Sequence, residues 1–174
     1  MPYKEEKEMY YPVTQWLQRF LQGMHKRATI RVFDSSDTSL TKLINDNGLI
    51  ENLPPEWQSW DIHVDVVGFI ITAKKTELAF VECKNIELTL AHLSQLLGYS
   101  RIAKPRYSFL ISPIYVNSSV LSLLSVYQRL DVLDYYYQKG SCPRSMIIAK
   151  WDERTNAIDN SKIITSDYNH TFLF

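Results

Sequence analysis

Residues 60–84 read WDIHVDVVGFIITAKKTELAFVECK and carry the clearest β-strand pattern of the chain. Two segments rich in Val, Ile and Phe, Trp60–Thr72 and Glu77–Lys84, are separated by a short polar segment, which predicts a β-hairpin. Polar residues interrupt the apolar pattern at Asp65 and at Glu82-Cys83-Lys84. A charge inside such a strand is costly without a partner, so these positions indicate either a site or an exposed strand end.

The turn of this hairpin decides which polar residues share a face of the sheet. With a two-residue turn at Lys74-Lys75, Asp65 pairs with Lys84, and Asp65, Glu82 and Lys84 project to one side. A three-residue loop would place Asp65 on the opposite face. The competing carboxylate, Asp61, lies about 13 Å further along at ~3.3 Å per residue, too far to share an ion. Asp65 is therefore the predicted partner of Glu82.

The predicted group of Asp65, Glu82 and Lys84 has the composition of a cation site. Two carboxylates a few ångströms apart stay ionised together only when a cation lies between them. Oxygen ligands with room for water suit Mg²⁺ or Mn²⁺, and the backbone carbonyl of Cys83 is a candidate further ligand. Lys84 is placed to hold an attacking water or to neutralise a phosphate. The Cys83 side chain alternates to the other face and is predicted to pack there.

Two predicted helices flank this hairpin and carry further candidates. The helix over Leu88–Ala103 presents Gln95 and Tyr99 four residues apart on one stripe, where they either reach the site or lie at the edge of the core. The first helix, Glu5–Gln22, begins with acidic residues that either complement the helix dipole or supply another ligand. These acidic residues are Glu5, Glu6 and Glu8.

This ordered set of residues resembles the PD-(D/E)XK nuclease superfamily, which has the restriction-endonuclease-like fold with an αβββαβ core. The resemblance covers about residues 5–112, with Val132–Tyr137 as a further core strand. The Gln-x-x-x-Tyr element is similar to that of RecB-like members. The stretches that carry the resemblance are Glu8-Met9-Tyr10-Tyr11-Pro12, Val64-Asp65-Val66-Val67-Gly68, Phe80-Val81-Glu82-Cys83-Lys84 and Leu93-Ser94-Gln95-Leu96-Leu97-Gly98-Tyr99.

The resemblance implies a Mg²⁺-dependent endonuclease that hydrolyses phosphodiester bonds of DNA, in preference to RNA, in restriction, defence or repair. It implies that Asp65 and Glu82 hold the metal with the Cys83 carbonyl, that Lys84 positions the water, and that Glu8 supports a metal. Gln95 and Tyr99 would orient the lysine or a phosphate. The sequence departs from the family pattern in lacking a Pro before the strand Asp and in inserting residues 34–55.

Two other interpretations remain open at this point. The first is a non-catalytic nucleic-acid-binding or assembly subunit that retains the nuclease fold. The second is an ordinary α/β domain in which the motif set is coincidental. A complete acidic set argues against the binding subunit, because a site that has lost its activity is expected to lose at least one member.

The charge balance limits how nucleic acid is held. The chain has 19 Lys and Arg against 19 Asp and Glu, which excludes a histone-like packaging protein. Any nucleic-acid contact therefore depends on a local basic group, and Arg101, Lys104 and Arg106 are the predicted phosphate contacts. A homodimer or a partner subunit is a further possible source of DNA affinity.

The remaining sequence predicts one α/β (α+β) domain over residues 1–174, with a mixed central sheet flanked by helices. Its core is predicted over about residues 5–137, followed by a C-terminal strand extension over 138–174. The charged N-terminal segment and the shortness of every apolar run predict an intracellular, cytoplasmic protein that does not enter a membrane.

Overall fold

A computed structural model describes residues 3–166 and contains eight β-strands and four α-helices within that range. The strands are β1 (Thr29–Asp34), β2 (Val66–Ile71), β3 (Thr76–Cys83), β4 (Tyr107–Ser112), β5 (Asp134–Tyr136), β6 (Arg144–Ser145), β7 (Ile147–Asp152) and β8 (Ala157–Ile164). The helices are α1 (Tyr10–Met24), α2 (Leu40–Asp46), α3 (Leu90–Ala103) and α4 (Ser118–Leu121). Short 3₁₀ turns cover Glu6–Met9, Pro55–Ser59 and Leu130–Leu133, and a π-helical turn covers Ser122–Val126.

The central sheet has six strands in the order β1-β2-β3-β4-β7-β8. The strands β1, β2 and β3 run antiparallel, β3, β4 and β7 run parallel, and β8 returns antiparallel to β7. Helix α1 therefore leads into three antiparallel strands, and α3 forms the crossover between β3 and β4. The predicted α/β class, with a mixed sheet flanked by helices, is confirmed.

Two apolar layers cover the two faces of this sheet. Helix α1 packs on one face through Val13, Leu17 and Leu21, while α3 packs on the other through Leu93, Leu96 and Leu97. The inserted segment also contributes, because Leu40, Leu43 and Ile44 of α2 are buried on the α3 side. The apolar residues of β2 and β3 alternate between these layers, as the pleat of a strand requires.

The hairpin between β2 and β3 closes one residue earlier than predicted. Ile71 pairs with Thr76, and the Thr72 N–H donates to the Lys75 carbonyl over 3.0 Å, so the two turn residues are Ala73 and Lys74. The Thr72 hydroxyl fixes this turn by donating to the same carbonyl over 2.8 Å. The pairing moves by two positions relative to the prediction, and a shift of two leaves each side chain on its predicted face.

Two predicted strands differ from the structure. The strand predicted from Trp60 begins only at Val66, because the Trp60 and Ile62 carbonyls accept hydrogen bonds from the start of α2. The strand predicted over Val132–Tyr137 is the short β5, which pairs with β6 outside the central sheet. The position beside β4 belongs to β7, so strands from the predicted C-terminal extension complete the central sheet.

Candidate functional site

Three carboxylates surround one lysine where β3 ends. The Lys84 Nζ lies 3.0 Å from Glu82 Oε1, 3.2 Å from Glu6 Oε1 and 3.8 Å from Asp65 Oδ2. We call Glu6, Asp65, Glu82 and Lys84 the acidic cluster. The sequence predicted that Asp65, Glu82 and Lys84 share one face, and the structure brings these three side chains together.

Backbone contacts hold two members of the cluster in place. The Cys83 N–H donates to Asp65 Oδ2 over 2.8 Å, although Asp65 itself precedes the first paired residue of β2. The Lys84 N–H donates to the Ile111 carbonyl over 3.0 Å, which continues the alignment of β3 with β4 by one residue. The Cys83 side chain points away and is fully buried in the layer beneath α1, as predicted.

Glu6 is the carboxylate that the first helix supplies to the cluster. Its Oε1 accepts hydrogen bonds from Lys84 Nζ and from the Tyr10 hydroxyl, both over 3.2 Å, and its Oε2 accepts from the Asn85 N–H over 3.4 Å. The spacing of Glu6 and Tyr10 by one helical turn is the sequence signal that could have identified this residue.

Glu8, the predicted acid of the first helix, forms no hydrogen bond or ion pair with this cluster within residues 3–166. Its Oε2 accepts hydrogen bonds from the Lys4 N–H over 2.8 Å and from the Glu5 N–H over 3.5 Å. Glu8 therefore caps the 3₁₀ turn that begins α1. In this capping position the Glu8 carboxylate contacts the backbone of Lys4 and Glu5. Glu6 is the acidic residue that lies beside Lys84, where the sequence predicted Glu8.

Burial sets the protonation of the cluster. Burial and the charge of Asp65, against the opposing effect of Lys84, raise the pKa of Glu82 to about 7. Burial also raises the pKa of Asp65, although the Cys83 N–H and Lys84 counteract it. Burial lowers the pKa of Lys84, but the Glu82 and Asp65 carboxylates outweigh it and the net shift is upward. Lys84 is thus a firmly charged ammonium beside a carboxyl that titrates near neutral pH.

Asn85 lies beside the cluster and was not singled out by the sequence. Its side-chain amide nitrogen donates to the Tyr3 carbonyl over 2.8 Å. The residue is 8% exposed, and among residues 3–166 its Oδ1 has no hydrogen-bond partner. Tyr3 is held from the other side by Trp151 of β7, whose Nε1–H donates to the Tyr3 hydroxyl over 3.0 Å.

The predicted pair, Gln95 and Tyr99, lies in the second and third turns of α3 rather than in its first. Gln95 is exposed, and Tyr99 packs half-buried against the core on the α3 side. Neither forms a hydrogen bond or ion pair with the cluster in the described part of the chain. His92 is one turn nearer the start of α3, where its Nδ1 accepts from the Thr89 N–H over 3.2 Å. Burial and the Lys84 charge lower the pKa of His92, so the charge of the cluster acts on a side chain in the first turn of α3.

The predicted phosphate contacts lie at the other end of the sheet. The Arg106 N–H donates to the Leu78 carbonyl over 2.7 Å, four residues before Glu82 and therefore about 13 Å along β3. The Arg106 guanidinium lies 5.9 Å from the ring centre of Tyr107, and the Lys104 Nζ lies 5.5 Å from that of Tyr136. Arg101, in the last turn of α3, is exposed. The structure does not bring these three cations to the acidic cluster.

Comparisons with protein families, with curated proteins and with solved structures find no match for this chain. Among residues 3–166, no helix is long and apolar enough to cross a membrane.

Proposed function

We propose that this protein is a Mg²⁺- or Mn²⁺-dependent endonuclease that hydrolyses phosphodiester bonds of DNA, as its resemblance to the PD-(D/E)XK superfamily implies. The observation that carries this proposal is the convergence of Glu6, Asp65 and Glu82 on the Lys84 ammonium. These carboxylates come from three separate chain segments, and carboxylates placed this close together repel one another unless a cation offsets their charge.

The donor set suits a hard divalent cation. Asp65, Glu82 and Glu6 supply carboxylate oxygens, and the Cys83 carbonyl is the proposed additional ligand. Within residues 3–166, no group of three or more His, Cys, Asp or Glu side chains is arranged to hold a metal ion. The Lys84 ammonium lies among the carboxylates.

Each side chain has a distinct role in this proposal. Asp65 and Glu82 would hold the cation, which when bound supplies Lewis-acid polarisation of a phosphoryl oxygen. Lys84 would position the attacking water and stabilise charge that develops on the phosphate. Tyr10 would orient Glu6 through its hydroxyl. Gln95 and Tyr99 remain proposed contacts of the substrate rather than of the lysine.

A cleavage assay tests the proposal. Purified protein is incubated with supercoiled plasmid, linear duplex, single-stranded DNA and RNA, each with Mg²⁺, Mn²⁺ or a chelator. We expect metal-dependent nicking or cutting of DNA that Lys84→Met and Asp65→Asn abolish. Lys74→Met is the matched control, because Lys74 is exposed in the turn at the far end of the hairpin.

The outcomes separate the candidate functions. Equal cutting by Lys84→Met and the unaltered protein would overturn the mechanism. Metal-independent DNA binding without cutting would favour a non-catalytic nucleic-acid-binding subunit.

A further inference from the structure

A cavity of about 290 Å³ lies at the start of β4, away from the acidic cluster. Its polar lining consists of two arginines and several hydroxyl side chains, and we call the following residues the arginine pocket: Arg106, Tyr107, Ser141, Arg144 and Thr165. Among the described residues that line this cavity, none is an Asp or a Glu. The chain as a whole has no net charge, so this cavity is a local concentration of positive charge.

Hydrogen bonds fix the Arg144 guanidinium in the pocket. Its Nη1 donates to the Lys104 carbonyl over 2.6 Å and to the Pro105 carbonyl over 3.2 Å. Its Nη2 donates to Glu77 Oε1 over 3.1 Å, but the other oxygen of Glu77 lies 3.0 Å from Lys75 Nζ, so one carboxylate offsets two cations. A guanidinium has five N–H donors, and the Arg144 Nε–H has no acceptor among residues 3–166.

Arg106 is the second cation of the pocket, and its charge is not offset by a direct partner. It is exposed, its guanidinium lies 5.9 Å from the ring centre of Tyr107, and it forms no ion pair within residues 3–166. The Tyr107 hydroxyl lies 3.0 Å from His25 Nε2. Burial and the Arg106 charge lower the pKa of His25, so the positive field extends beyond the pocket.

The side chains of the arginine pocket suit a phosphate group. Guanidinium groups bind phosphate oxygens through paired N–H donors, and hydroxyl groups add further hydrogen bonds. A phosphate monoester carries a charge of about −1.5 to −2 at pH 7, which two arginines balance. The cavity is close to the lower end, ~300 Å³, of the size range of small-molecule sites, so it suits a phosphate with the group attached to it.

We propose that the arginine pocket binds the phosphate group of a nucleotide, with Arg106 and Arg144 as its cationic contacts. The nucleotide is either free or part of a nucleic-acid strand. The pocket is separate from the acidic cluster, because the Arg106 N–H bonds to the Leu78 carbonyl, about 13 Å along β3 from Glu82. Binding there therefore needs no divalent cation and no cutting.

Binding measured in the presence of a chelator tests this inference apart from any nuclease activity. The probes are inorganic phosphate and AMP, followed by calorimetry, and a short labelled oligothymidylate, followed by fluorescence anisotropy. Arg106→Gln removes one guanidinium from the pocket. Arg154→Gln is the control, because it makes the same change of charge at an exposed residue outside the cavity lining.

Cys142 allows the binding to be assigned to this cavity. It lines the cavity and is exposed, whereas Cys83 is fully buried. Alkylation by iodoacetamide, a neutral reagent, followed by mass spectrometry therefore reports on the thiol in the cavity. We expect a bound nucleotide to slow the alkylation of Cys142.

We expect Arg106→Gln to weaken binding at least about 10-fold and Arg154→Gln to bind as the unaltered protein does. Should Arg106→Gln fail to fold, Arg106→Lys replaces it and is also expected to weaken binding, because an ammonium lacks the paired donors of a guanidinium. Tighter binding of AMP than of oligothymidylate identifies a free nucleotide as the ligand, and the reverse order identifies a strand.

Four results would overturn the proposal. The first is that neither AMP nor oligothymidylate binds, and the second is that the Arg106 variant binds as tightly as the unaltered protein. The third is equal weakening in Arg154→Gln, which would show a general effect of charge. The fourth is an unchanged rate of Cys142 alkylation in the nucleotide-bound protein, which would place the ligand elsewhere.

Discussion

The backbone N–H of Cys83 donates to the Oδ2 of Asp65 over 2.8 Å, so a side chain continues the hairpin beyond its last paired residues. The contact fixes the Asp65 carboxylate to β3 at the residue between Glu82 and Lys84. Asp65 therefore contributes both to the stability of the sheet and to the acidic cluster. Its substitution is expected to change the free energy of unfolding and the cleavage rate separately.

Substitution of Asp65 separates these two roles. Asp65→Asn keeps an oxygen for the Cys83 N–H but removes the charge, whereas Asp65→Ala removes both. We expect both variants to lose DNA cutting, and only Asp65→Ala to lose about 1–3 kcal/mol of unfolding free energy. Urea denaturation and the cleavage assay measure the two effects. Equal loss of stability in both variants would show that the hydrogen bond to Cys83 is unimportant.

Glu6 and Glu8 form a matched pair on the same turn. Glu6→Gln removes the carboxylate beside Lys84, and we expect cutting to fall at least 10-fold, or about 1.4 kcal/mol in activation free energy. Glu8→Gln keeps an oxygen for capping and is expected to retain cutting, with a stability loss of at most about 1 kcal/mol. The reverse order of activities would restore Glu8 as the functional acid.

The raised pKa of Glu82 predicts a pH-dependent stability. The folded protein holds the Glu82 proton up to pH of about 7, while the unfolded chain releases it near the ordinary value of 4.5. The folded state therefore binds more protons in this window, so Glu82 lowers the unfolding free energy as pH rises from about 4.5 to 7.

Glu82→Gln removes this titration. In the presence of a chelator, we expect the stability of Glu82→Gln relative to the unaltered protein to increase by about 1–3 kcal/mol across that window and then level off. Thermal melts at half-unit pH intervals measure the difference. A constant difference from pH 4.5 to 8 would mean that Glu82 has an ordinary pKa.

Any side chain at position 68 of β2, where the protein has Gly, is predicted to lower the free energy of unfolding. A Cβ at this position would lie 2.6 Å from Leu21 Cδ1 and 3.3 Å from Leu17 Cδ2, and both leucines are fully buried side chains of α1. Gly68→Ala should cost about 1–3 kcal/mol of stability by pushing α1 from the sheet. Gly23→Ala is the control, because a Cβ there contacts nothing within 4 Å and Ala favours the helix.

The basic residues at the far end of the sheet should affect substrate binding rather than catalysis. Arg101→Ala combined with Arg106→Ala is expected to lower DNA affinity and its salt dependence, with the rate at saturating DNA unchanged. Filter binding at several salt concentrations and single-turnover cleavage measure the two quantities. A fall in the saturated rate would contradict the separation between these residues and the acidic cluster.

The hairpin and its polar interruptions were predictable because local pattern determines them. Alternation together with a two-residue turn places Asp65 and Glu82 on one face, and the observed shift of two in the pairing keeps them there. The spacing of Glu6 and Tyr10 is a local signal for Glu6, but the choice of Glu6 over Glu8 also depends on which carboxylate caps the turn and which one meets Lys84 from a distant strand. The place of β7 beside β4 is likewise a tertiary outcome, because it pairs residues far apart in the sequence, such as Phe109 and Ile147.

The hydrogen bond from Trp151 to Tyr3 bears on the order in which the protein is assembled during synthesis. Glu6 emerges from the ribosome early, but β7, which carries Trp151, is made only after every other strand of the central sheet except β8. Until β7 docks beside β4, the segment of Tyr3 and Glu6 lacks its contact with Trp151, although Lys84 and Asn85 also hold it. A nascent chain thus contains the β2–β3 hairpin that carries Asp65, Glu82 and Lys84 before it contains the Trp151 anchor of the Glu6 segment.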